Sequence, residues 1–376
     1  MQISSDFDSG NIEVIDASNP QQVRLAIRPD LNSGHFQWFH FKVEDLQPGQ
    51  RYGFSLGNAG QSSYPRAWDG YHAVASYDQL NWFRVPSRFE NGALNFDIEP
   101  QHGQIWFAYF EPYSRERHGR LIEQALSQAG AELFATGKSI EGRDIQVLRV
   151  SRNPAAQRRI WIIAQQHPGE HMAEWFIQGL IERLQRRDDT ELNSLLAQAD
   201  LYLVPNMNPD GAFRGHLRTN AAGCDLNRAW QSACTAQSPE VFFVQQLMRQ
   251  VGVDLFLDIH GDEEIPHVFV AGCEGNPGYS SRLQRLENQF KQLLIDSGAE
   301  FQTTFGYTPD QFGEANTSLA CNAVGMEFDC LAFTIEMPFK DHDDNPNPQT
   351  GWNGARSMGL GQDVLSVVAA MVGGLR

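Results

Sequence analysis

Residues 158–171 read RRIWIIAQQHPGEH, an apolar run cut off by a polar turn. A short apolar segment rich in isoleucine and tryptophan, ending on turn residues, reads as a buried strand. Pro168-Gly169 is ordinary turn chemistry, but a turn has no need of His167 before it and Glu170 after it. In open α/β sheets ligands collect at the carboxyl ends of the strands, so polar residues placed just after a strand are the first candidates for chemistry. His260 stands in the same relation to the run DLFLDI at 254–259.

The chain around these segments alternates. IQVLRV (145–150), ADLYLVP (199–205) and LAFTIEM (331–337) are further strand candidates. Between them, residues 171–186, 238–252 and 280–298 carry apolar residues at helical spacing, the second with Ser238 as N-cap and Pro239 in its first turn. Residues 115–130 form another helix, stopped at Gly130. This order predicts an α/β domain with a mixed, mostly parallel sheet covered by helices on both faces. Before it the character is different: HFQWFHFKV, RYGFSL, LNFDIEP and GQIWFAYF, punctuated by Gly, Asn and Pro, read as strands of an all-β antiparallel sandwich. The expected division is a sandwich over residues 1–112 and a catalytic domain over 113–376.

A chain of 376 residues with 41% hydrophobic content can bury a large core, which fits two domains. A formal net charge of −17 argues against nucleic acid or an anionic membrane as partner, since both select a basic face. No run approaches the ~20 apolar residues of a membrane span, and MQISSDFDSG lacks the features of a secretory signal. A cytoplasmic location is expected. Five cysteines without C-x-x-C spacing fit reduced thiols.

Two imidazoles and a carboxylate, His167, Glu170 and His260, form a donor set that suits Zn²⁺, and three protein ligands leave a position open for water, as in a catalytic site. His171, His216, His267 and His342 are competing ligands; His171 enters the following helix and the other three sit in loop-like sequence. Glu336, near the end of an apolar strand, is either a general base or the buried half of an ion pair. The loop PNMNPDGAFRGHLRTNAAGCDLNRAW (205–230) holds three arginines in a chain short of positive charge. Of these, Arg218 and Arg228 can grip a carboxylate through a planar fork or simply be solvated.

The ordered set HPGE, NPDG, CDLNR, DIHG and TIEMPF resembles the zinc metallocarboxypeptidases, more closely their cytosolic carboxypeptidase branch. FAYFEPYS (107–114) and SIEGRDI (139–145) are similar to that branch as well. The resemblance implies one zinc ion per chain, held by His167, Glu170 and His260, with Glu336 as general base. It implies that Arg218 holds the oxyanion, that Asn227 and Arg228 grip the substrate's terminal carboxylate, and that Asp225 orients His167. Peptide or protein C-terminal tails are then the substrate. Tyr307, in FGYTPD, is the candidate for the substrate-capping tyrosine of the digestive enzymes. Eukaryotic members that trim glutamate carry a basic residue before the catalytic glutamate, yet residues 316–336 contain no Lys or Arg. An acidic preference would need a basic residue from another loop. Two other functions use the same features: a zinc-dependent deacylase or amidase acting on N-acyl amino acids, and a non-catalytic module that binds C-terminal tails.

Overall fold

The computed structural model describes residues 1–298 and 300–375. Ten strands come first: β1 (Gln2–Ser4), β2 (Glu13–Asp16), β3 (Val23–Ala26), β4 (His40–Glu44), β5 (Tyr52–Leu56), β6 (Ala73–Ser76), β7 (Trp82–Val85), β8 (Ser87–Glu90), β9 (Ala93–Ile98) and β10 (Gln104–Ala108). They form two five-stranded sheets, in the orders β1-β4-β10-β6-β7 and β2-β3-β5-β9-β8. Alternation drives the packing. Phe41, Phe54, Phe96 and Phe107 are buried and meet ring to ring at 5.2–6.0 Å. The antiparallel expectation has one exception, because β3 pairs with β5 in parallel. The chain between them visits the other sheet as β4, and that detour lets both strands run the same way.

The second part opens with α1 (Arg115–Gln124), capped by the Ser114 hydroxyl on the Arg117 N–H and followed by a wider turn that ends at Gly130 in the left-handed region. Then come β11 (Ala131–Lys138), β12 (Asp144–Val150), β13 (Arg158–Ala164), α2 (Met172–Leu184), α3 (Thr190–Gln198), β14 (Ala199–Val204), α4 (Pro209–Arg214), α5 (Pro239–Val251), β15 (Leu255–Asp262), β16 (Phe269–Ala271), α6 (Ser281–Asp296), α7 (Ala320–Phe328), β17 (Leu331–Pro338) and α8 (Gly354–Met371). The seven-stranded sheet runs β11-β12-β14-β13-β15-β17-β16. β14, β13, β15 and β17 are mutually parallel, and the edges are antiparallel. β14 and β15 flank β13 on opposite sides, so the winding reverses there and a crevice opens beyond the carboxyl ends of β13 and β15.

The expectation of a mixed, mostly parallel sheet covered by helices after the all-β part therefore holds. The expectation that no run approaches a membrane span must be corrected: the helix Gly354–Gly374 meets the length and composition of one. Half of that stretch is buried inside the protein. It crosses α2 so closely that a Cβ on Gly179 would lie 2.0 Å from the Met358 carbonyl oxygen, and one on Gly361 2.2 Å from that of Phe176. Backbone contact at that distance tolerates only glycine.

Candidate active site

His167, Pro168, Gly169 and Glu170 leave β13 as a tight turn. The Gly169 N–H donates to the Leu217 carbonyl at 2.9 Å, and a Cβ at Gly169 would sit 2.9 Å from that oxygen, so the loop carrying Arg218 closes directly over the turn. Gln165, buried and with φ 56°, shapes the turn from below. Its side chain donates to the Pro168 carbonyl and accepts from Asn206.

The expected trio comes together. Glu170 Oε1 lies 2.7 Å from His167 Nδ1 and Glu170 Oε2 lies 2.7 Å from His260 Nδ1, with all three side chains buried. The donor atoms lie within 4.8 Å of one another. Each imidazole is fixed through its other nitrogen, His167 Nε2 by Asp225 Oδ1 at 3.1 Å and His260 Nε2 by Asp258 Oδ2 at 2.8 Å. Such outer partners set the tautomer and strengthen the donor. Asp225 is where the resemblance put it. Asp258 was missed, although an acid two positions before His260 on an apolar strand shares its face and was the signal.

The donor set fits a divalent cation. Besides Glu170, Asp225 and Asp258, the buried acids Asp262, Glu263 and Glu336 converge here, and Glu336 Oε2 and Asp258 Oδ1 have no hydrogen-bond partner. Arg218 and the rim residue Arg228 are a poor match for so much negative charge; an ion of charge two held by the imidazoles and Glu170 is a good one. Burial opposes ionisation of Glu170, but the two imidazoles outweigh it and hold the carboxyl below its usual range. Glu336 is pushed well above its range by burial, reinforced by Glu170 and Asp262 and countered by His260.

Glu336 stands on β17 opposite His260 in the strand register. The Tyr307 hydroxyl donates to Asp262 Oδ2 at 2.7 Å and approaches Glu336 Oε1 at 3.2 Å, so Tyr307 reaches the site. Arg218 donates to Asp225 Oδ2 at 2.7 Å and to the Tyr64 hydroxyl. Burial disfavours its charge, yet Asp225 and Tyr64 raise its pKa further. Asn227 is partly committed: its Oδ1 accepts from the Ala320 N–H at 2.8 Å and its Nδ2 faces His260 Nε2 at 3.4 Å. Arg228 is exposed at the rim. His171 accepts from the Tyr113 N–H and stacks on Trp38, and His216 bridges Leu31 N–H and the Thr219 carbonyl; neither competes for the metal.

The cleft is a cavity of about 870 Å³ that runs from these residues to Ala271, Thr334, Asn322, Glu274 and Lys291. Its near wall comes from the first part of the chain. Asp30, buried, accepts the N–H groups of Leu217, Arg218 and Thr219 at 2.7, 2.8 and 2.9 Å. The buried Arg84 ties β7 to the later segment, its guanidinium donating to the carbonyls of Phe339, Trp352 and Thr350.

Comparison with known proteins agrees with this geometry. Residues 3–110 match the cytosolic carboxypeptidase N-terminal domain and residues 124–350 match the zinc carboxypeptidase family. A metallo-carboxypeptidase from Pseudomonas aeruginosa, solved in complex with (2-guanidinoethylmercapto)succinic acid, is 66% identical, with a TM-score of 0.99 and complete coverage of both chains. One from Burkholderia cenocepacia is 40% identical over 99% of each chain, with a TM-score of 0.96. Cytosolic carboxypeptidase 6 of Caenorhabditis elegans is 24% identical over 89% of this chain and 77% of its own. Fold, donor set and cleft thus meet in one conclusion: the chain belongs to the zinc carboxypeptidase family, in its cytosolic branch, and is a zinc-dependent peptide hydrolase.

Proposed function

We propose that the enzyme removes residues from the C-termini of peptides or proteins in the cytoplasm, with one zinc ion per chain held by His167, Glu170 and His260. The observation that carries this reading is the meeting of two imidazole Nδ1 atoms with the two oxygens of one carboxylate, each at 2.7 Å, beside a buried acid with a free oxygen. Zinc in this position supplies Lewis acidity, acidifying water and polarising a carbonyl. Glu336, which the charge of an ion in this position would keep ionised against the effect of burial, takes the proton from the attacking water. Arg218 donates to the oxyanion of the tetrahedral carbon, a contribution of about 10²- to 10³-fold in rate for one such donor. Glu336 then delivers its proton to the leaving amine.

Asn227 and Arg228 are proposed to hold the terminal carboxylate, and residues 1–112 to form a domain that buttresses the cleft through Asp30 and Tyr64 beside residues 113–376. A charge-assisted fork at the rim demands a free C-terminus. Peptides with an amidated C-terminus should therefore be cleaved at least ~10²-fold more slowly than their free-acid twins, and Arg228→Ala should narrow that gap by slowing the free acid. Equal kcat/KM for both forms in the wild type would favour the amidase reading.

The basic residue absent from 316–336 has a stand-in, since Lys291 on α6 lines the cavity. It is already neutralised. Its Nζ lies 2.5 Å from Glu287 Oε1 and 3.4 Å from Glu274 Oε1, so its charge is already paired, while the acids Glu263, Glu264, Glu274 and Asp310 line the same cavity. Lysine-, arginine- or glutamine-ending peptides should exceed glutamate-ending ones in kcat/KM by about tenfold or more, the effect of ~1.4 kcal/mol of like-charge repulsion. The guanidinium-bearing ligand of the Pseudomonas protein supports the same preference. A panel of peptides differing only in the last residue checks it, and a best substrate ending in glutamate would refute it.

A further inference from the structure

We propose that His267, His342 and Asp344 form a second divalent transition-metal site, separate from the catalytic centre, that braces the wall of the cleft bearing Tyr307. His267 lies in the connection between β15 and β16, and His342 and Asp344 follow β17. Both imidazoles are buried, with 4% and 1% exposure, and one ligand atom from each of the three side chains lies within 4.8 Å of the others.

The chemistry parallels that of the catalytic donors. His267 Nδ1 faces Asp344 Oδ2 at 3.2 Å, the counterpart of an imidazole nitrogen meeting a carboxylate oxygen in the first site. His342 Nε2 contacts the Glu300 carbonyl at 2.8 Å, closer than the 3.4 Å approach of the Val268 N–H, so Nε2 carries the proton and Nδ1 the lone pair. That Nδ1 takes only a backbone N–H from Asp344, at 3.2 Å, which is weak competition for an ion. Asp344 is 60% exposed, so ions enter from solvent and water fills the remaining positions. Two nitrogens and one oxygen select zinc, cobalt, nickel or copper over magnesium or calcium.

The site also has a lever on the cleft. The His267 ring stacks on Phe305 with centroids 4.5 Å apart and planes within 4°. Phe305 is two residues from Tyr307, whose hydroxyl meets Asp262 and Glu336. Fixing His267 fixes the support of that segment.

Metal content measured after equilibrium dialysis of the full-length enzyme against buffered Zn²⁺ tests the proposal. The wild type should hold one ion more per chain than His267→Gln, and one more than Asp344→Asn, whatever the catalytic centre holds. Calorimetric titration should show the extra site weakened at least tenfold by Asp344→Asn, whose exposed side chain makes misfolding no explanation. Equal stoichiometry and unchanged isotherms in wild type and Asp344→Asn would overturn it, leaving a buried histidine paired with an exposed aspartate.

Discussion

Replacing Glu336 by glutamine is expected to lower kcat by about 10²- to 10⁴-fold, the range of a positioned acid–base group, while zinc content is unchanged and KM moves by no more than about twofold. The substitution is nearly isosteric. The amide keeps an oxygen for Tyr307, which now reaches Oε1 at 3.2 Å, and keeps the volume of a side chain that is 5% exposed. What it loses is the ability to take a proton on the oxygen that no protein group satisfies. The rival role left open by the sequence, half of a buried ion pair, is not met: among the described residues no arginine or lysine pairs with Glu336. An ion-pair role would appear as lost stability with kcat retained. Steady-state kinetics, metal analysis and a melting curve on the same preparation separate the two, and a kcat within tenfold of wild type would remove Glu336 from the acid–base role.

The legible part of this molecule is the part written locally. β13, β15 and β17 each announce themselves as an apolar run broken by a polar residue, and His167, Glu170 and His260 follow because the ends of parallel strands are where a sheet presents its chemistry. β11 and β16 left weaker marks. β11 is an edge strand with only Gly137 fully buried, and β16 is three residues long, so neither produces an apolar run. Asp258 was legible in principle, since a carboxylate within an apolar strand must have a partner. Tyr64 and Asp30 were not. Their part in the cleft arises from contacts 154 and 187 positions away in the chain, and no periodicity or motif encodes a pairing between domains.

That hidden pairing carries the second large effect. Asp30→Ala should destabilise the enzyme by about 3–5 kcal/mol, because four charge-assisted hydrogen bonds worth ~1.5–3 kcal/mol each are lost and largely replaced by water. It should also lower kcat/KM by about 10²-fold, approaching the cost of removing an oxyanion donor. The reason is position. Asp30 does not line the cleft; it clamps the backbone of residues 217–219 and also accepts the Thr219 hydroxyl at 3.1 Å, so the Arg218 side chain starts from a fixed point. Asp30→Asn, which keeps one acceptor oxygen, should fall between the wild type and Asp30→Ala in both measures. A purely structural Asp30 would lower the melting temperature and leave kcat/KM, measured well below it, untouched. A double-mutant cycle decides whether it acts through the arginine: in an Arg218→Ala background, Asp30→Asn should cost less than about threefold in kcat/KM, because the group it positions is already gone. Full additivity of the two losses would mean that the N-terminal residues influence catalysis by some route other than Arg218.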